Sequence, residues 1–300
     1  MMPSIGVFYN AEIRNNGTAR RVWDTIVRAD GKEAGCTRYT RPVQHPKDLK
    51  HDLALFIDDG RDDIPMEVPE GIPSACWLVD THLGWEQRRE WAAHFDHVFT
   101  AQKDGATRMR EEGLPAMWLP LACHPSVDPC IAEMVTHGEY SQYDAPDFDV
   151  AFVGYLNRGA GDDDKSHDRV EYLDRVMAEF PSSWLAMNKF FVDAAKVYHN
   201  ARVGFNISIR DDLNMRFFET LSYGTALVTN TDVQGLEDLG FEEGKHYIGY
   251  EGLEEAVERI RWTLNHPMER LAIARQGHDL VRACHTYKDR VETMLEVCLG

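Results

Sequence analysis

The chain has 300 residues, 43% of them hydrophobic and 10% aromatic, which is enough to bury a sizeable core and too apolar for a disordered segment. Fifty acidic residues against 32 basic ones give a net charge of −18, spread along the chain, which opposes long-range attraction to nucleic acid and to anionic membranes. No run approaches the roughly 18–20 consecutive apolar residues of a membrane helix, and no basic region followed by an apolar one opens the sequence, so a cytoplasmic location is expected.

Short apolar runs alternate with amphipathic segments. Residues 4–10 read as a first strand, and a helix follows from Thr18 to Asp30 after the Asn16-Gly17 turn. Leu53–Ile57, Cys76–Val79, His97–Thr100 and Met117–Leu121 read as four more strands, with helices over Glu86–His94 and Lys103–Glu112 between them. Residues 124–148 lack any sustained period and form the expected linker. The alternation resumes with strands at 150–154, 184–187, 202–208, 226–230 and 246–250. Helices are expected at 168–179, 190–199, 214–223 and 253–264, and two more from Pro267 onward.

Continuous apolar strands separated by helices imply parallel sheets covered on both faces. The expected architecture is therefore α/β, with two Rossmann-like domains, residues 1–145 and 146–300, whose sheets face a central cleft. In such sheets ligands bind beyond the carboxyl ends of the strands, which singles out Asn10, Asp58, Asp80, His82, Gly154, Ser208, Asn230 and Thr231.

The six cysteines are scattered without a C-x-x-C pair and read as thiols, not disulfides. Asp162-Asp163-Asp164 lies in a glycine-rich stretch without alternating ligands around it, and the 13 histidines show no ligand spacing, so no metal site is expected. No G-x-G-x-x-G follows a strand, which argues against a dinucleotide-dependent oxidoreductase.

The most informative segment runs from Asn206 to Asn230. A strand ends at Asn206–Ser208, a polar loop carries Arg210 and Asp211, and a helix begins near Asn214, a good N-cap. Arg216 and Glu219 are three apart and share one side of that helix. Free N–H groups at a helix start can hold a phosphate, Arg216 can add a forked contact, and the Glu219 carboxylate can accept both hydroxyls of a ribose. On spacing alone, the two would equally be a surface ion pair worth under about 1 kcal/mol.

These residues resemble those of GT-B glycosyltransferases, in particular the CgeB-like group within glycosyl transferases group 1. The resemblance rests on Asn206, on Arg216-Phe-Phe-Glu219 through Gly224, on Leu227–Asn230, on Gly235-Leu-Glu-Asp-Leu and on His285–Arg290. It covers the chain from about Asp149 onward. Over residues 1–148 it is weaker and draws on Trp77–Asp80, Phe99–Gln102 and Leu119-Pro-Leu.

The resemblance implies a metal-independent transferase that moves a hexosyl or pentosyl group from a nucleoside-diphosphate sugar such as a UDP-sugar, with no other cofactor. The C-terminal domain would hold the donor through Gly154, Arg158, Asn206, Arg210, Asn214, Arg216, Glu219, Asn230 and Thr231. The terminal helices would pack back towards the first domain. Independently of the resemblance, Asp80 and His82 end a strand of the first domain, where an inverting enzyme would use either as general base for an acceptor hydroxyl and where each would equally serve to cap a turn or bond its loop. Many retaining members carry a glutamate eight positions before the ribose-binding one, where this chain has Asp211.

Two other functions fit the same fold: a catalytically silent binding module, and a phage-type enzyme acting on hydroxymethylated DNA bases. The net charge opposes the second, and the basic cluster Arg14, Arg20, Arg21, Arg28, Arg38 and Arg41 would have to supply its groove.

Overall fold

The computed structural model describes residues 3–9, 17–30, 36–39, 51–58, 68, 70–82, 84–124, 146–154, 166–209 and 212–300. It resolves into two compact units, Met1–Leu121 with Tyr287–Gly300, and Ala122–Thr286. The chain changes unit at 121/122 and returns at 286/287.

The first unit is a six-stranded parallel sheet with β1 (Ile5–Phe8), β2 (Cys36–Tyr39), β3 (Leu53–Asp58), β4 (Ser74–Leu78), β5 (His97–Thr100) and β6 (Ala116–Trp118) in the order β2-β1-β3-β4-β5-β6. The register pairs Ile5 with both Cys36 and Leu53. Every residue of β1, β3 and β4 is buried. That is why these strands read as unbroken apolar runs: helices cover both sheet faces. The helices are α1 (Thr18–Asp30), α2 (Trp85–Ala92) and α3 (Lys103–Glu111). Phe8 and Phe56 stack with centroids 4.3 Å apart, and Phe95 and Trp91 meet Phe56 edge-on. A buried aromatic of this kind contributes on the order of 1.5–3 kcal/mol.

The second unit is a five-stranded parallel sheet of β7 (Phe148–Val153), β8 (Ser183–Ala186), β9 (Ala201–Asn206), β10 (Ala226–Asn230) and β11 (Ile248–Tyr250) in the order β11-β10-β9-β7-β8. Its helices are α4 (Ser166–Glu179), α5 (Val192–His199), α6 (Met215–Ser222), α7 (Leu253–Asn265) and α8 (Pro267–Cys284). One core cluster joins Val150, Phe152, Val203, Phe205 and Val228 of the sheet to Leu173, Val176 and Ile260 of α4 and α7. The chain runs from β7 outward to β8, then reverses to β9, β10 and β11. The topological switch point thus lies between the carboxyl ends of β7 and β9, where open α/β sheets place ligands.

Of the two helices expected after Pro267, α8 belongs to the second unit and α9 (Tyr287–Leu299) to the first. Tyr287 is fully buried beside Trp77, with ring centroids 6.1 Å apart. Arg290, also buried, donates through Nε to the Pro120 carbonyl at 2.8 Å and through Nη2 to that of Leu121 at 3.3 Å. Among the described residues no helix is long and apolar enough to cross a membrane.

Candidate functional site

The site is built on α6. Asn214 stands just before it in extended backbone, and its side chain accepts from the Phe217 N–H at 3.2 Å. Such a cap stabilises a helix start by about 1 kcal/mol. Phe217 and Phe218 drive one face of α6 into the core, where both meet Phe241 edge-on. Gly224, at φ 74°, takes the left-handed conformation just beyond the helix end and turns the chain into β10. The opposite face then carries Arg216 and Glu219 toward the switch point.

Arg216 is the centre of the arrangement. Its Nε donates to the Val153 carbonyl at 2.6 Å and its Nη1 to Asn206 Oδ1 at 2.7 Å. These bonds tie it to the ends of β7 and β9 at once. The guanidinium lies over the Phe152 ring, 4.2 Å from the centroid. Loss of water around it lowers its pKa from the ordinary guanidinium value, against the opposing pull of Tyr198, Glu219 and Tyr250. Gly154 makes room for it: a Cβ there would lie 2.5 Å from Arg216 Nη2.

Asn206 is fully buried and works as a hub. Its Oδ1 accepts from Arg216 and, at 3.3 Å, from Asn214 Nδ2. Its Nδ2 donates to Thr229 Oγ1 at 3.0 Å and Ser208 Oγ at 3.2 Å. Its backbone carbonyl accepts from the Tyr250 hydroxyl at 2.8 Å. Ser208 Oγ also accepts from Asn214 Nδ2 at 2.7 Å. Asn230 locks β9 to β10, accepting from Ser208 N at 2.8 Å and donating to the Ser208 carbonyl at 3.1 Å. Thr231 N donates to the Tyr250 carbonyl at 3.2 Å. Burial raises the phenol pKa values of Tyr198 and Tyr250, so both stay neutral hydrogen-bonding groups.

The structure therefore brings together Gly154, Asn206, Asn214, Arg216, Glu219, Asn230 and Thr231. Asn206 and Asn230 are buried and position their neighbours. Arg158, Arg210 and Asp211 lie outside the described residues, as does Asn10. Several supports carried no sequence signal: the Val153 carbonyl, the Phe152 ring, Tyr198 and Tyr250 read only as core. After β8 the backbone turns left-handed at Asn188 (φ 55°) and Phe191 (φ 51°), leaving Phe190 41% exposed at the same edge of the sheet.

Asp80 and His82 sit at the carboxyl end of β4 in the first unit, both half-buried. Asp80 has φ 58°, a conformation that aspartate tolerates better than most residues. Between them Thr81 donates to Gln102 Oε1 from both its backbone nitrogen (3.0 Å) and its hydroxyl (3.2 Å). Beside them Arg88 Nε donates to Asp58 Oδ2 at 2.6 Å in a buried ion pair, a partnership that linear spacing did not reveal. Among the described residues no group of three or more His, Cys, Asp or Glu side chains could hold a metal ion.

Residues 167–296 match the family model for glycosyl transferase-like proteins. No curated protein of matching sequence was found. Among solved structures, HepE of Anabaena in complex with UDP and glucose aligns at TM-score 0.64 with 10% identity, over 99% of each chain. An α-glucosyltransferase in complex with UDP and a 13-mer DNA containing an HMU base aligns at 0.65 with 9% identity, over the whole of both chains. A UDP-forming α,α-trehalose-phosphate synthase from Burkholderia xenovorans aligns at 0.63 with 12% identity, over 98% of each. The chain has the GT-B fold, with a glycosyl transferase-like segment that contains α6.

Proposed function

We propose that the chain is a glycosyltransferase that moves a sugar from a nucleoside-diphosphate sugar to an acceptor hydroxyl, and that the second unit holds the donor. The observation that carries this is Arg216. Its guanidinium is fixed at the switch point by Val153 and Asn206, beside the capped start of α6. A diphosphate placed there meets a positive group and the N–H groups of a helix start, which offset its charge as it departs. In this reading no metal is needed. Glu219, on the same face as Arg216, accepts the ribose hydroxyls.

In the transfer, the acceptor oxygen bonds to the anomeric carbon while the bond from that carbon to the diphosphate oxygen breaks. The diphosphate leaves with the electron pair. The acceptor proton passes to a carboxylate or imidazole in the first unit, for which Asp80 and His82 are the candidates. The DNA-bound relative raises a hydroxymethylated base as acceptor, but the −18 charge weighs against it.

A thermal-shift panel of UDP-, GDP-, TDP- and CMP-sugars tests the proposal. Stabilisation by one nucleotide, lost in Glu219→Ala, supports it, and stabilisation by none overturns it. Binding without release of nucleotide to any acceptor favours the silent binding module.

A further inference from the structure

Next to the switch point, on the side of β10 and β11, lies a cavity of about 420 Å³. This is at the small end of the roughly 300–1,000 Å³ typical of ligand pockets, room for one ring and its substituents. It shares Ser208 and Asn230 with the Arg216 network, so a ligand held there adjoins one held by Arg216.

Its lining is asymmetric in charge. Asp232 and Glu251 contribute carboxylates, Ser208, Thr231 and Tyr172 hydroxyls, and Asn230 an amide. Among the described residues no lysine, arginine or histidine lines it; the cation bonded to its wall is Arg169, whose Nη2 donates to the Ile207 carbonyl at 3.4 Å. Asn230 Nδ2 donates to Asp232 Oδ1, which orients that carboxylate, and both acids are exposed at the mouth. Carboxylates with hydroxyls suit a ring that offers many O–H donors, and two negative charges repel a third.

We propose that this cavity receives the transferred sugar and selects an uncharged one, with Asp232 and Glu251 accepting its hydroxyls and excluding hexuronates. The inference rests on the donor-site reading above.

The test uses the full chain and compares three ligands by titration calorimetry: the bare nucleoside diphosphate, its hexose derivative and its hexuronate. For a uridine donor these are UDP, UDP-glucose and UDP-glucuronate; for a guanosine donor, GDP, GDP-mannose and GDP-mannuronate. The hexose form is expected to bind at least tenfold more tightly than the hexuronate. In Asp232→Asn/Glu251→Gln the ratio should fall to within about threefold, and binding of the bare diphosphate should stay unchanged. Glu251→Gln alone, at an exposed position, should move the ratio part of the way. Raising the salt concentration should narrow it in the wild type.

Equal binding of the two sugars in the wild type, or a ratio that the double variant leaves intact, overturns the inference while the donor site stands. Failure of all three ligands to bind overturns both.

Discussion

Arg216 Nη1 donates to Asn206 Oδ1 at 2.7 Å, and Asn206 is fully buried, so the cation at the switch point is held by a group that no ligand reaches. Asn206→Ala strands Thr229, Ser208 and Asn214 as well. It should cost about 2–3 kcal/mol of stability, since buried partners left unsatisfied are expensive, as read by urea denaturation. Arg216→Lys cannot span Val153 and Asn206 with one ammonium. It should weaken nucleotide binding at least about tenfold with a smaller loss of stability.

Gly154 tests the same fit from the other side. An added methyl would meet Arg216 Nη2 at 2.5 Å and the Phe152 ring at 2.7 Å. Gly154→Ala should therefore destabilise by about 1–3 kcal/mol through overpacking. It should also displace the guanidinium, so nucleotide-induced stabilisation shrinks along with the melting temperature.

Asp58 and Arg88 form a buried pair whose side chains are 5% and 0% exposed. Removing either partner leaves a buried charge, so Asp58→Ala or Arg88→Ala should cost about 3–5 kcal/mol. Asp58→Leu/Arg88→Met should recover much of that loss in denaturant titrations. A double variant no more stable than the singles would show that the pair's geometry, not its charge balance, holds the first unit together there.

His246 gives the second unit a pH dependence. Its Nδ1 accepts from the Glu242 N–H at 3.0 Å, which requires an unprotonated Nδ1, and burial together with Lys245 lowers its pKa from the usual 6.5. The unfolded chain then binds more protons than the folded one below about pH 6.5, so stability falls with acidification through that range. The loss is expected to be about 1 kcal/mol, the scale of one hydrogen bond. His246→Asn should flatten the urea midpoint between pH 7.5 and 5.5; His51, with its pKa lowered likewise, would leave a remainder.

Most of the fold could be read in advance because parallel strands buried on both faces are unbroken apolar runs. Leu53–Asp58 and Ala226–Asn230 are examples. Cys36–Tyr39 carries no such signal for the converse reason: it is a four-residue strand with Thr37 and Arg38 in it, and among the described strands it pairs with β1 alone. At the site, Asn214 and Arg216 announced themselves through capping and charge. Strand order is not written in local pattern, so nothing in the sequence showed that Val153 would lie beside Asn206 and offer Arg216 its carbonyl. The Arg88 pairing with Asp58 was hidden in the same way, since thirty positions separate two residues that touch.

The interleaved division of the chain governs the order in which it can be completed on a ribosome. Everything in the second unit has been synthesised by Thr286, and Cys123 and Thr286, near its two ends, pair directly. The first unit, begun earlier, must wait for Tyr287 to fill the space beside Trp77 and for Arg290 to bind the carbonyls of Pro120 and Leu121. The half that starts first therefore finishes last. A released chain truncated after Thr286 should protect the second unit from protease while leaving the first open to cleavage.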